Sequence, residues 1–433
     1  MNNMAMSRFS KSMQHLLRAE RTIPLGSQTF SKSRTQYPVG ISPLYATKAK
    51  GAEIWDLDGT RYIDLVSALA SVTLGYGDKK VEKAVIKQLK LGVSMSLPGV
   101  LEAEVAELIV DMVPSAEMVR FGKNGTDATS AAIRLARAYT GRDHIVVCGY
   151  HGWQDWYIGS TTRNKGVPES VSALTHKFEF NKIESLTSIL NEFEGKIAAV
   201  ILEPMNVAYP EPGFLELVQK VTQKAGALLI FDETITGFRF AKGGAQELFG
   251  VTPDLSTFGK GMANGFPLSA VVGRRDVMIE MEEIFFSGTF GGELLSLAAA
   301  KSVLERQLAG GVCESIIKNG ELLANRTELA ISQNGLQDVL TLSGHPSWKF
   351  LIWRSSNQYS IDELKTYFMQ QAFRKGLLVL GTHNVTTAFN ERIIEKTAGI
   401  YSEVFSDLSQ AILNNSLREQ LRVEPLKPLF RIR

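Results

Sequence analysis

Lys260 stands between two glycines in Phe258-Gly259-Lys260-Gly261, and upstream of it the apolar run Leu228-Leu229-Ile230-Phe231 ends in Asp232. A primary amine in a glycine frame, following an acid at a strand end, points to aldehyde chemistry. The amine forms a Schiff base with a cofactor, and the acid polarises that cofactor. A carboxylate where a sheet opens to ligand can keep a ring nitrogen protonated and so turn the ring into an electron sink. Taken singly, each residue has an ordinary explanation, a solvated loop lysine and a strand-end cap.

Other residues supply what such a cofactor would need. Lys123-Asn124-Gly125-Thr126-Asp127 precedes a good helix sequence, Ala131 to Tyr139. Gly125 and Thr126 would then offer free backbone N–H groups and a hydroxyl to a dianion at a helix N-terminus. Tyr150-His151-Gly152-Trp153 follows the run Ile145 to Cys148, which brings an aromatic to the same sheet edge, where it could stack on a flat ring. Glu203 closes the run Ala198 to Leu202 as a second carboxylate on the ligand side, and Arg239 lies beyond Thr236-Gly237-Phe238; the two contact ligand or each other. Ser287-Gly288-Thr289, ahead of the helical stretch Leu294 to Glu305, is a further glycine-framed hydroxyl and a second candidate phosphate donor.

The elements that must position these groups follow from hydrophobic patterning. Val81 to Leu91, Glu102 to Val113 and Leu215 to Lys224 read as helices, whereas Ile145 to Cys148, Ala198 to Leu202, Ala227 to Phe231 and Leu268 to Val272 are short apolar runs. Strands without polar alternation are buried on both faces, which predicts a mostly parallel α/β sheet covered by helices with ligands at the carboxyl ends of its strands. Asp58-Gly59 between Ala52 to Asp56 and Thr60 to Asp64 predicts a hairpin, after an extended arm over residues 22–50. Beyond Gly310-Gly311, Glu314 to Gln333, Phe350 to Trp353, Leu377 to Leu380 and Ile394 to Leu413 read as a smaller αβ region. The expected organisation is an N-terminal helix, arm and hairpin over 1–70, a large domain over 71–310 and a small C-terminal domain over 311–433.

Composition narrows the function classes. With 47 basic and 45 acidic side chains among 433 residues, the net charge of +2 gives no broad field for nucleic acid or an anionic membrane. No apolar stretch approaches the roughly 20 residues that span a bilayer. Two cysteines, Cys148 and Cys313, fit reduced thiols in a cytoplasmic protein. Residues 1–22 carry Arg8, Lys11, Arg18 and Arg21 against the single acid Glu20, a composition shared by transit peptides and by amphipathic helices; Phe9, Met13, Leu16 and Leu17 at helical spacing argue for the helix. The six histidines are scattered, and Cys148-x-x-His151 lacks the second pair of a zinc site, so no metal is expected. Gly-x-Ser-x-Gly and phosphate-loop patterns are missing, as is an early Gly-x-Gly-x-x-Gly, which removes the usual support for hydrolase, phosphotransferase and nicotinamide chemistry.

Taken together these segments resemble the class III pyridoxal-phosphate aminotransferases, and most of all the glutamate-1-semialdehyde 2,1-aminomutase subgroup. The resemblance runs in order through Trp55 to Gly59, Arg120 to Thr126, Ala132 to Arg137, Tyr150-His151-Gly152 and Leu202-Glu203-Pro204. It continues through Phe231-Asp232-Glu233, Thr236 to Arg239, Pro253 to Leu255, Gly259-Lys260-Gly261 and Val272 to Asp276. It implies a fold type I transferase with pyridoxal 5'-phosphate held by Asn124, Gly125, Thr126, Tyr150, His151, Glu203, Asp232, Thr234, Lys260 and Thr289. Within that set it implies Lys260 as the Schiff-base lysine, Asp232 on the ring nitrogen and Tyr150 on one ring face. Thr234 stands where the family usually packs a valine on the other face, Gly125 and Thr126 hold the phosphate, and Thr289 comes from the neighbouring subunit of a homodimer whose site lies at the interface.

Departures accompany the matches. Gly75 to Lys79 lacks the family's His-Pro ending, Lys123-Asn124 replaces Asn-Ser before the phosphate Gly-Thr, and Phe290 to Glu293 differs from the usual segment. Trp153 and Trp156 add aromatic bulk near Tyr150, and no residue of the arm 26–38 matches the mutase's substrate-carboxylate group. The expected activity is transfer of an amino group from a small-molecule donor to an aldehyde or ketone, with a sugar derivative as one candidate acceptor. An intramolecular aminomutase is the alternative, followed by a non-catalytic cofactor-binding scaffold and by decarboxylation or racemisation on the same electron sink.

Overall fold

A computed structural model describes residues 8–427 of the chain. Among them two compact units are separable. One holds the described residues up to Ser67, Leu74–Gly77 and those from Ser315 on; the other holds Ala68–Thr73 and Asp78–Glu314.

In the first unit a helix over Ser10–Ala19 precedes three strands, β1 (Ala46–Lys50), β2 (Glu53–Asp56) and β3 (Arg61–Asp64). The Asp58-Gly59 hairpin is present, with Glu53 opposite Ile63 and Trp55 opposite Arg61. Phe9 and Leu16 are buried as expected, but Leu17 is 67% exposed. The buried stripe continues instead through Ser12 and Ala19, whose positions share the face of Leu16. The 22–50 arm is not extended throughout: it contains short turns at Pro24–Gly26 and Phe30–Lys32, and its last residues form β1, antiparallel to β2. The reversal between them falls at Gly51, whose φ of +61° suits glycine.

The second unit carries a seven-stranded sheet: β4 (Met118–Gly122), β5 (His144–Cys148), β6 (Thr175–Lys177), β7 (Ile197–Leu202), β8 (Leu228–Asp232), β9 (Leu255–Phe258) and β10 (Ser269–Gly273). Their spatial order is β4-β10-β9-β8-β7-β5-β6. Strands β6, β5, β7, β8 and β9 run parallel, and β10 runs antiparallel to both neighbours. The run at Leu268 to Val272 therefore departs from the parallel set, because the loop joining it to β9 is too short for a crossover helix. Alternation of side chains explains why the runs show no polar period. Ile145, Ile201 and Ile230 enter one apolar core with the helix Gly125–Thr140, whereas Val146, Val200, Leu229 and Phe231 enter another with Leu186, Phe214 and Val218.

The chain returns to the first unit within the helix Val312–Gln333, followed by β11 (Leu340–His345), β12 (Trp348–Trp353), β13 (Leu377–Leu378), β14 (Thr382–Asn384) and the helices Glu391–Leu413 and Leu417–Gln420. Strand β13 lies parallel to β3, so the N-terminal hairpin and the C-terminal segment share one sheet.

Candidate active site

Parallel strands that end side by side deliver the residues at and just beyond their ends to one edge, and here Asp232, Glu203 and Lys260 are among them. A cavity of about 220 Å3 in the second unit is lined by Asn124, Gly125, Thr126, Thr129, Tyr150, His151, Gly152, Trp153, Glu203, Asp232, Thr234, Ile235 and Lys260. Sequence positions more than a hundred residues apart thus meet in one place. Thr289 is outside this lining, on the exposed loop after Phe286.

Asp232 ends β8 and is buried. Its Oδ1 accepts from the Thr234 amide (3.1 Å), the Thr234 hydroxyl (2.6 Å) and the Thr257 hydroxyl (3.1 Å), while Oδ2 lies 2.9 Å from His151 Nδ1. Burial alone would raise its pKa; hydrogen bonds from His151 and Thr234 outweigh that and hold the carboxyl below its ordinary range. The other nitrogen of His151, Nε2, lies 3.1 Å from the Cys148 carbonyl oxygen. The Cys148-x-x-His151 spacing thus sets the imidazole against the Cys148 backbone carbonyl.

Glu203, following β7, is buried beside it and accepts from the Tyr150 amide (3.1 Å) and from Asn206 Nδ2 (2.9 Å). Burial, and then the charge of Asp232, push its pKa upward. Lys260 follows β9 with a φ of +42°, an uncommon conformation for a residue with a Cβ. Burial is the largest influence on its amine and lowers its pKa, against the opposing pull of Asp232 and Glu203. Its glycine frame is a matter of packing: a Cβ at Gly261 would come within 2.3 Å of Thr73 Oγ1.

The helix over Gly125–Thr140 begins at the cavity rather than at Ala131. The Asp127 carboxylate takes the amides of Lys123 and Asn124, so the first helical amides, those of Gly125 and Thr126, have no acceptor within the helix. Tyr150 stands edge-on to Tyr157 at a centroid distance of 5.6 Å and lines the cavity.

Two expectations are corrected. Arg239 is absent from the cavity lining; it is buried, donates to the Ala70 carbonyl and is not paired with Glu203. Of the two tryptophans only Trp153 lines the cavity, 63% exposed, whereas Trp156 is core, its indole N–H on Ser130 Oγ at 3.0 Å. Thr129, Ile235 and Thr257 went unnoticed in the sequence. Thr257 sits in the short run Leu255-Ser256-Thr257-Phe258 immediately before Gly259-Lys260, where Ser256 and Thr257 break the apolar signature of a buried strand.

Against this geometry the comparisons with known proteins are direct. The sequence model of the family Aminotransferase class-III matches residues 36–412. A glutamate-1-semialdehyde 2,1-aminomutase of Syntrophobacter fumaroxidans is 42% identical over 316 residues, covering 69% of this chain and 72% of the relative. A 3-aminobutyryl-CoA aminotransferase of Cloacimonas acidaminovorans is 31% identical over 385 residues, covering 87% and 92%. Among solved structures, the FumI protein of Sphingopyxis sp. MTA144 in its PLP internal aldimine form superposes with a TM-score of 0.87 at 29% identity, covering 95% of this chain and 98% of that one. The chain belongs to the class III aminotransferase family. Its architecture is that of fold type I, and pyridoxal phosphate is its cofactor. A sugar-derivative acceptor gains no support from these relatives.

Proposed function

We propose that the chain moves an amino group from an external amino donor to an aldehyde or ketone, with Lys260 as the reactive amine. One observation carries the reading: Lys260, Asp232 and the amide end of the helix Gly125–Thr140 face a single cavity. The donor set suits pyridoxal phosphate, offering a buried amine for its aldehyde, a carboxylate for its ring nitrogen and free amides for its phosphate. When bound, that group supplies an electrophilic carbon and a ring that withdraws electrons from the substrate carbon.

The chain's own residues do the rest. Burial favours the neutral form of Lys260, which is what a nucleophile and, afterwards, a proton carrier at the substrate carbon requires. Asp232, kept ionised, holds the proton on the ring nitrogen. His151 orients that carboxylate, Tyr150 and Thr234 would cover the two faces of a bound ring, and Asn124, Gly125 and Thr126 would hold its phosphate. Glu203 fixes the Tyr150 backbone beside them. In this reading residues 71–310 are the cofactor-binding domain, and 1–70 with 311–433 form the smaller one.

An intramolecular aminomutase is the second reading, favoured by the name of the 42% identical relative. Loading the protein with the amine form of the cofactor and adding carbonyl compounds separates the two. Return of the aldehyde form with an acceptor that is not itself an amino compound supports transfer between molecules; turnover of a single amino aldehyde without any donor supports the mutase.

A homodimer completes the proposal. Leu91, Leu97, Val100, Phe285 and Phe290 are each at least 60% exposed, and Thr289 precedes Phe290 in the chain. Large apolar side chains left exposed in this way suit burial against a partner subunit. Leu97→Asp combined with Val100→Asp is expected to shift the protein to monomer in sedimentation and to weaken cofactor retention. The half-buried Cys148 and the buried Cys313, their thiols pushed up to about 12 by burial, suit a reducing cytoplasm.

A further inference from the structure

Resting on the assignment of Asp232 to the ring nitrogen, we propose that the Thr234 hydroxyl is a positioning device that sets how strongly Asp232 holds the cofactor's proton and reserves its Oδ2 for that contact. The geometry is a donor count. A carboxylate offers about two acceptor sites on each oxygen. Oδ1 already receives the Thr234 amide, the Thr234 hydroxyl and the Thr257 hydroxyl, so it is saturated. Oδ2 has His151 alone and retains capacity for one more donor.

The hydroxyl contact is the shortest of the four, 2.6 Å, as charge-assisted O–H···O⁻ bonds are. The rest of the side chain locks it there. A Cβ on Gly125 would fall 2.8 Å from Thr234 Cγ2, and one on Gly259 would fall 3.3 Å from the same methyl, so the methyl is seated between two glycines while the hydroxyl turns to Asp232. Thr257 approaches from β9, where it pairs in register with Asp232 across the sheet. The charged and titratable groups that face Asp232 are His151, Glu203, Lys260, Tyr150 and Tyr157. His151 lies at Oδ2, so the threonines act on the other oxygen of the carboxylate.

A donor to a carboxylate draws off its negative charge and lowers its affinity for a proton. Thr234 therefore weakens the pull of Asp232 on the ring N–H and moderates the electron sink. Removing the hydroxyl while keeping the methyl should strengthen that pull.

The test uses the holoenzyme reconstituted with pyridoxal phosphate labelled with 15N at the ring, comparing wild type, Thr234→Val and Thr234→Ser. Thr234→Val keeps the shape and loses the donor; Thr234→Ser keeps the donor and loses the methyl. The expected result is that the ring 15N signal of Thr234→Val moves towards the protonated limit, with its titration displaced upward by about one pH unit, whereas Thr234→Ser stays with wild type. A Thr234→Val signal coincident with wild type over about pH 6 to 10, or Thr234→Ser moving as far as Thr234→Val, overturns the proposal. The assignment of Asp232 itself fails differently: Asp232→Asn would then leave the 15N signal where it was.

Discussion

Glu203 and Asp232 stand at the ends of neighbouring parallel strands, both buried, and their carboxyls are driven in opposite directions. Burial is the largest influence on each and acts the same way on both. What differs is the company. Asp232 receives two hydroxyls, an amide and an imidazole, whereas Glu203 receives one backbone amide and one asparagine and also feels the charge of Asp232. Donors, not depth, decide which strand-end carboxyl is favoured as an anion and which is disfavoured. The ring of a pyridine cofactor needs that anion.

The contrast can be broken from either side. Lys260→Ala removes the amine on which both carboxylates act and should cut turnover by about 10³-fold or more, measured in single-turnover amine transfer. Asp232→Asn keeps the shape but not the charge, and should lower kcat by about 10²-fold, with the bound cofactor's absorbance losing its ring-protonated character. Glu203→Gln should act chiefly on stability, and in the favourable direction. A carboxyl whose folded pKa is raised contributes stability below its unfolded pKa and loses it as pH rises through the folded value. At neutral pH, above the unfolded pKa, that contribution is reduced, and glutamine, which still accepts from Tyr150 and Asn206, should raise Tm by about 2 °C. The gain should vanish below about pH 4, where Glu203 itself is protonated. Equal effects of Asp232→Asn and Glu203→Gln on turnover and on Tm would mean that the two strand ends are not differentiated.

Much of this was legible in the residues. The strands ending at Cys148, Leu202 and Asp232 were readable because each is buried on both faces and so lacks polar interruptions. Once their parallel arrangement is inferred, the convergence of Tyr150, Glu203 and Asp232 at one edge follows. Less legible were β4, β6 and β9, where Arg120, His176 and the pair Ser256 and Thr257 break the apolar pattern. Missing β9 hid the Thr257 contact to Asp232, because a cross-strand hydrogen bond depends on register, which no local signal in this segment encodes. Arg239 misled for a related reason. A cation at a motif's end reads as a ligand group, yet its side chain is buried and donates to the Ala70 carbonyl.

The central claim is covalent and can be tested on one residue. Borohydride reduction of the cofactor-loaded protein, followed by peptide mapping, should place the pyridoxyl label on the peptide containing Lys260 and on no other. Label on a different lysine, or cofactor that remains fully extractable after reduction, would contradict the account.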